Sequence, residues 1–280
     1  MPPEITFALF SLGFLGVSDF LYKWGQPWGL RSGPFMLLQN LAYLPTALTL
    51  AYLRDEMAWS AGIWFGLLNG LLAFTAFLFV LLALRRGEAV TLTPVVRLNF
   101  AVTVLLTVTL LGEEINVIKG IALVLAALAV LAASGGALSA GGDRRSLWLA
   151  LSAMCLFGFI GLFYKLGINM GAPPAAMVVA QSVGVFCVAL PVAIWQGDPL
   201  PRTGVPFWLP LACGILTANS YVALAIAMKY GDAVVVAPIA QLSFVLTAAL
   251  AVAFLRERLT LQKGVAVALA VLTVVLFASG

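Results

Sequence analysis

The sequence contains no histidine, and only 9% of its 280 residues are charged. Without histidine the chain lacks the side chain that most often carries protons near neutral pH and binds transition metals. Its three cysteines form no Cys-x-x-Cys pair, and no GxxxxGK[ST] phosphate loop occurs. A Ser/His/Asp catalytic set is likewise impossible. These absences argue against an enzyme, an ATP-driven pump, a metal site or a bound cofactor.

Apolar residues dominate instead, making up 63% of the chain, with a mean hydropathy of +1.09. They fall in blocks close to the roughly 20 residues that an α-helix needs to cross the hydrocarbon core of a bilayer. We therefore predict an all-α integral membrane protein with ten transmembrane helices. The predicted spans are 5–22, 34–53, 60–84, 89–111, 117–135, 147–165, 174–195, 206–227, 233–254 and 263–279.

The second half of the sequence repeats the first. When Ala83 to Gly136 is aligned with Ala227 to Gly280, an offset of 144, about 20 of the 54 positions are identical. Because each repeat has an odd number of spans, the two halves must cross the membrane in opposite directions. We predict two inverted five-helix repeats, 1–136 and 147–280, joined by a central loop at 137–146.

The distribution of lysine and arginine predicts the orientation of the chain. The odd-numbered connections between spans hold ten of these residues and the even-numbered ones hold four. Connections rich in Lys and Arg face the cytoplasm. We therefore expect a multi-pass protein of the cytoplasmic (inner) membrane with both termini on the outer face.

Arg97 is the most conspicuous charge, because it lies inside the predicted span 89–111, three residues after Pro94. Such a charge costs a few kcal/mol unless it faces a partner or a wet cavity. The aligned Gln241 also follows a proline, Pro238. Since proline kinks a helix and frees backbone carbonyls, we predict kinks at both prolines and a pathway lined by Arg97 and Gln241. Alternatively, Arg97 pairs with Asp19 or extends toward the interface.

Asp19 is an acidic residue well inside a predicted span, and Lys23 follows four positions later on the same helix face. Asp19 is a candidate for substrate binding or for coupling to a proton or cation. A static ion pair with Lys23 or Arg97 fits equally well. Lys23 and Lys165 align at an offset of 142 and should lie near opposite faces of the membrane. They are candidates for gating or coupling, or else ordinary interfacial lysines.

A second polar group lies in predicted spans two, three, seven and eight. We predict that its members bind the substrate in the same cavity: Gln39, Gln181, Asn69, Asn219 and Tyr221. Such side chains also join neighbouring helices at about 1 kcal/mol per contact, and the sequence leaves both roles open. The pair Gln39 and Gln181 is the stronger candidate, because it recurs at equivalent positions of the two halves.

Glu113 and Glu257 lie shortly before Lys119 and Lys263, at the starts of the last helices of the two halves. A carboxylate near a helix N-terminus complements the positive end of the helix dipole. We therefore predict that each glutamate caps the helix that it precedes.

Several motifs resemble the drug/metabolite transporter superfamily, in particular its ten-helix EamA-type members. They are the run Leu15–Lys23, the segment Ala89–Pro94 with its repeat Ala233–Pro238, and the acidic turns at Glu113 and Glu257. The resemblance covers essentially the whole chain. It implies two inverted five-helix repeats around a central cavity and a secondary carrier that is often an exporter. Members handle amino acids, nucleotide-like metabolites, cationic amines or drugs.

We predict a secondary active transporter that moves a small organic metabolite, amino-acid-like or otherwise anionic, across the cytoplasmic membrane by alternating access, and that works as an exporter. Its partners would be the substrate, the bilayer and a coupling proton or cation, without nucleic acid, in a monomer or homodimer. The alternative of a multidrug or cationic-compound exporter needs Asp19 unpaired, whereas an anion carrier needs Arg97 exposed to the cavity. A channel or a non-transporting membrane scaffold is the alternative from another class.

Overall fold

A computed structural model of the chain describes residues 1–28, 32–84, 92, 95–133, 144–196, 200–255 and 260–279. All regular secondary structure within these ranges is helical. The helices are α1 (Pro3–Gly25), α2 (Ser32–Leu53), α3 (Ile63–Leu84), α4 (Asn99–Leu111), α5 (Val117–Ala133), α6 (Arg144–Asn169), α7 (Pro174–Gln196), α8 (Val205–Tyr230), α9 (Ala233–Gln241), α10 (Ser243–Leu255) and α11 (Leu261–Ser279), with a short 3-10 helix at Gln26–Trp28.

The described part of the chain contains six helical stretches that are long and apolar enough to cross a membrane. One of them comprises α9 and α10 together. Three further apolar helices are shorter: Val95–Leu111, Val117–Ala132 and Gly264–Ser279. The structure therefore confirms the predicted all-α class and the prediction of several apolar helices of membrane-spanning length.

Two of the predicted spans are interrupted at aligned positions. Between α9 and α10, the amide of Leu242 donates to the carbonyl of Ile239 at 3.1 Å. In the first half, the amide of Leu98 donates to the carbonyl of Val95 at 3.2 Å, just before α4. A hydrogen bond to the third residue back forms a tight 3-10 turn within a helical path. Both spans therefore change their winding at the same point of the repeat.

These interruptions differ in position from the kinks expected at proline. Pro238 lies inside α9, and the turn comes four residues later, directly after Gln241. The turn in the first half directly follows Arg97. Pro94 lies outside the described residues. In each span the irregular turn thus lies directly next to the polar residue, Arg97 in the first half and Gln241 in the second.

Several contacts between helices are symmetric with respect to the two halves. When each helix of such a pair is replaced by its equivalent in the other half, the resulting pair is also in contact. The contact of α1 with α8 corresponds to that of α3 with α6, and the contact of α2 with α8 corresponds to that of α3 with α7. The contact of α4 with α6 corresponds to that of α1 with α10. Two contacts join equivalent helices directly, namely α2 with α7 and α5 with α11.

Glycines allow the central helices to approach closely. A methyl group at Gly70 in α3 would overlap the backbone carbonyl oxygen of Gln181 in α7. The aligned Gly214 in α8 stands in the same relation to the carbonyl oxygen of Gln39 in α2. Small residues permit such backbone contact between membrane helices. The two equivalent contacts hold α2 and α7, with their glutamines, at the centre of the molecule.

Candidate functional site

A cavity of about 360 Å³ lies among the helices of both halves. Most of the side chains that line it are apolar. The polar and charged side chains of the lining are Asp19, Gln39, Asn40, Tyr43, Arg97, Asn99, Gln181, Thr217, Tyr221 and Gln241. Six of the eight residues predicted to bind substrate are among them, so the structure brings residues from distant parts of the sequence to one cavity.

An ion pair occupies one wall of this cavity. The Nη2 atom of Arg97 donates to the Oδ2 atom of Asp19 in a short hydrogen bond. Its Nη1 atom donates to the hydroxyl of Ser243 at 3.0 Å, and that hydroxyl lies 3.5 Å from Asp19 Oδ2. The side chains of Arg97 and Asp19 keep 21% and 30% of their surface exposed, respectively. The pair is therefore accessible from the cavity.

Gln241 lies immediately before the turn at Leu242, as Arg97 lies before the turn at Leu98. Within the described residues its side-chain amide has no hydrogen-bond partner, although it lines the cavity. An amide carries two donor hydrogens and one acceptor oxygen. Gln241 can therefore offer both kinds of hydrogen bond to a molecule in the cavity.

The other two predicted glutamines are held by neighbours. Gln181 accepts a short hydrogen bond from the hydroxyl of Tyr164, and Gln39 donates through Nε2 to the hydroxyl of Thr217 at 3.2 Å. Each contact joins side chains of two different helices. These hydrogen bonds fix the directions in which the two amides present their remaining atoms.

Asn40 and Ser182, which align in the repeat, bond to each other. Asn40 Nδ2 donates to the backbone carbonyl of Ser182 at 3.1 Å, and the hydroxyl of Ser182 donates to Asn40 Oδ1 at 2.9 Å. Both residues are buried, and Asn40 also lines the cavity. Their reciprocal bonds join α2 to α7 beside the site.

Two tyrosine rings of the cavity lining, those of Tyr43 and Tyr221, lie close to each other, and Tyr221 also lies close to Tyr164 outside the lining. The ring of Tyr221 lies 6.2 Å from that of Tyr43 and 6.1 Å from that of Tyr164, measured between centroids. The candidates proposed from the sequence omit Tyr43 and Thr217. Helical spacing could have found them, because Tyr43 lies four residues after Gln39 and Thr217 lies four before Tyr221.

Asn69 and Asn219 do not line the cavity, unlike the other six residues predicted to bind substrate. Asn69 is fully buried, and neither of its side-chain polar atoms has a partner within the described structure. Asn219 is partly exposed and donates to the carbonyl of Ile215 in its own helix at 2.8 Å. Because it lies two residues from both Thr217 and Tyr221, it points about 200° around the helix from them.

The two lysines predicted to act in gating or coupling also lie outside the cavity lining. Lys23 is exposed in the last turn of α1. Lys165 does not extend to solvent: its side chain is 12% exposed and lies 3.6 Å from Glu113. Its ammonium group donates to the carbonyls of Met228 at 3.1 Å and Gly231 at 2.6 Å.

Glu113 caps a different helix from the one predicted. Its two carboxylate oxygens accept hydrogen bonds from the amides of Ala233 at 2.8 Å and Val234 at 3.0 Å, at the start of α9. Asn116 instead caps the helix that follows Glu113, accepting a bond from the amide of Lys119 at 2.7 Å. The packing of the two halves against each other thus determines which helix Glu113 caps. Glu257 lies outside the described residues.

Several apolar helices of membrane-spanning length define an integral, multi-pass membrane protein. The model of the EamA-like transporter family matches residues 3–135 and again 144–279. The chain therefore belongs to the EamA-like transporter family, and the family membership predicted from its motifs is confirmed.

One curated relative is named as a transporter, and one solved structure has the same fold. An "Uncharacterized transporter in cobO 3'region" from Sinorhizobium sp is 33% identical over 124 residues, which are 43% of this chain and 86% of that protein. A solved structure named only "Crystal structure of protein" matches with a TM-score of 0.82 at 14% identity. The match covers 98% of this chain and 95% of the other. At that identity the likeness shows the fold alone.

Proposed function

We propose that this protein is a secondary active transporter, and not an enzyme, that exports a small organic metabolite bearing a carboxylate or another anionic group. The observation that carries the proposal is the partly exposed guanidinium of Arg97 on the wall of a cavity shared by both halves. A charge inside a membrane protein is costly, and it typically marks a substrate or ion pathway.

Arg97 is suited to recognise an anion. A guanidinium has five donor hydrogens in a planar arrangement, and the hydrogen bonds to Asp19 and Ser243 use two of its nitrogens. A carboxylate or phosphate can exchange with Asp19, because charge-assisted bonds to Arg are strong and often bidentate. The amide of Gln241, which has no partner among the described residues, lines the same cavity and supplies further hydrogen bonds.

The pairing of Asp19 favours an anionic over a cationic substrate. A cation exporter would need the carboxylate of Asp19 to be available, but its Oδ2 atom is bonded to Arg97. The same pair gives Asp19 a role in coupling: a proton or cation taken up by its carboxylate would release the guanidinium for the substrate. A membrane scaffold gives no reason for a cavity of about 360 Å³ whose lining includes an ion pair and several polar side chains.

We further propose ten membrane-spanning helices in two inverted repeats that exchange conformations by alternating access. Each predicted span contains helical residues in the structure. Equivalent hydrogen bonds support the symmetry: Thr103 donates to the carbonyl of Gly158 at 2.9 Å, and the aligned Thr247 donates to that of Gly16 at 3.0 Å. The distribution of lysine and arginine supports a location in the cytoplasmic membrane with both termini outside.

A thermal-shift screen tests the anion site. The detergent-purified protein is heated with amino acids, other carboxylates, nucleotides and amines, because a ligand at 100 times its Kd stabilises the folded state by about 2.7 kcal/mol. We expect an anionic compound to raise the Tm of the native protein. Arg97→Gln should lose that increase, whereas the control Arg202→Gln should retain it, since Arg202 is exposed before α8. An equal increase in Arg97→Gln would refute the assignment.

A further inference from the structure

The cavity reaches one end of the helices but not the other. On α6 its lining includes Ala150 and Phe157, and on α8 it includes Tyr221. One to two turns beyond them, Tyr164 and Ala225 are fully buried. The helix ends that follow these two residues form the closed face of the molecule, which includes the ends of α6 and α8 and the start of α9.

A carboxylate and an ammonium group join the two halves at this closed face. Glu113, from the first half, lies 3.6 Å from Lys165 of the second half and accepts bonds from two amides at the start of α9. Lys165 in turn bonds to carbonyls at the end of α8 and just after it. Both charged side chains are largely buried, with 5% of Glu113 and 12% of Lys165 exposed.

This network is separate from the ion pair of Arg97 and Asp19, and neither Glu113 nor Lys165 lines the cavity. Its position matters because the two halves must separate at this face for the cavity to reach it. Separation would remove Glu113 from the start of α9 and from Lys165 in a single movement. Charge-assisted hydrogen bonds of this kind are stronger than neutral ones but can exchange with water when the face opens.

We propose that Glu113, Lys165 and the N-terminus of α9 form a latch that holds the closed face shut and is released when that face opens. The proposal rests on the proposed transport by alternating access. It assigns these residues a role in gating and none in substrate binding. Weakening the latch should therefore shift the population of conformations toward the state in which this face is open, without any ligand.

A cysteine reporter measures this shift. Ala225 is fully buried between the cavity residue Tyr221 and the latch partner Met228, so the substitution Ala225→Cys should introduce a thiol that reacts with a maleimide only when the face opens. The reporter is placed in the full-length chain after replacement of Cys155, Cys187 and Cys213. Labelling is followed in detergent, without substrate. Ala129→Cys, which replaces a fully buried residue of α5, is the second reporter.

We expect Glu113→Gln and Lys165→Met to raise the labelling rate of the Ala225→Cys reporter several-fold and to leave that of the Ala129→Cys reporter unchanged. The matched control Glu114→Gln should change neither rate, because Glu114 is exposed and its side chain has no partner within the described structure.

If Glu113→Gln fails to fold, Lys165→Met still decides, since it keeps the carboxylate at the start of α9. Unchanged labelling of the reporter in α8, or an equal increase for the reporter in α5, would overturn the latch. Neither result depends on a substrate, so the anion site is judged separately.

Discussion

Replacement of Gly70 by alanine tests the close packing that holds the site together. The new methyl group would overlap the carbonyl oxygen of Gln181 and the backbone of Gly184, both in α7. These are backbone atoms, so no change of side-chain rotamer can relieve the overlap. The helices α3 and α7 must instead move apart, and α7 carries Gln181 at the cavity.

The size of the effect follows from two opposing terms. Overpacking of a tight contact costs about 1–3 kcal/mol. Alanine in place of glycine within a helix gains roughly 0.5–1 kcal/mol. Gly13 in α1 is the matched control, because a methyl group there would meet nothing within 4 Å. Since both variants share the gain, Gly70→Ala should be less stable than Gly13→Ala by about 1–3 kcal/mol.

Thermal unfolding of both variants in the same detergent measures this difference. We expect Gly13→Ala to match or exceed the native Tm and Gly70→Ala to fall below it. Ligand-induced stabilisation should also weaken in Gly70→Ala, because the carbonyl of Gln181 is displaced. Equal Tm values for the two variants would refute the inferred backbone contact.

Two further substitutions test side chains outside the cavity. Asn69→Cys places there the residue found at the aligned Cys213 and removes a buried amide that has no partner in the part of the chain that the structure describes. The free energy of unfolding should therefore rise by about 1 kcal/mol, with ligand binding unchanged. A lower Tm would show that the amide is satisfied. Glu56→Ala removes the carboxylate that accepts a bond from the amide of Ala175 at 2.8 Å, and should lower stability by about 1 kcal/mol in chemical or thermal unfolding. An unchanged stability would contradict that capping role.

The position of Arg97 beside a partner and a cavity could be predicted from the sequence. A charge in an apolar stretch needs a partner or a cavity, and the structure provides both, with Asp19 as the partner and the cavity beside it. The repeat likewise predicts that Gln241, Gln39 and Gln181 face the cavity, and all three line it. Position in a repeat is informative because equivalent residues of two interlocked halves meet near the centre.

The helix face of an isolated polar residue was harder to predict. In a soluble protein the apolar stripe of a helix marks its buried side. In a membrane the lipid and the protein core are both apolar, so an apolar stripe does not distinguish the buried side of a helix. Composition alone therefore could not predict which way Asn69 and Asn219 point. Glu113 shows a second limit of prediction from sequence. Its position shortly before Lys119 predicted that it caps the next helix in the chain, whereas the fold brings it to the start of α9.

Counterflow in proteoliposomes tests most directly whether this cavity carries a solute. Vesicles are loaded with an unlabelled ligand found in the thermal-shift screen, and the labelled compound is added outside. A carrier working by alternating access should accumulate label transiently in the native protein and in Arg202→Gln, and should fail to do so in Arg97→Gln. Undiminished counterflow in Arg97→Gln, or rapid passage of label by the native protein without any counterflow, would contradict a carrier built around Arg97.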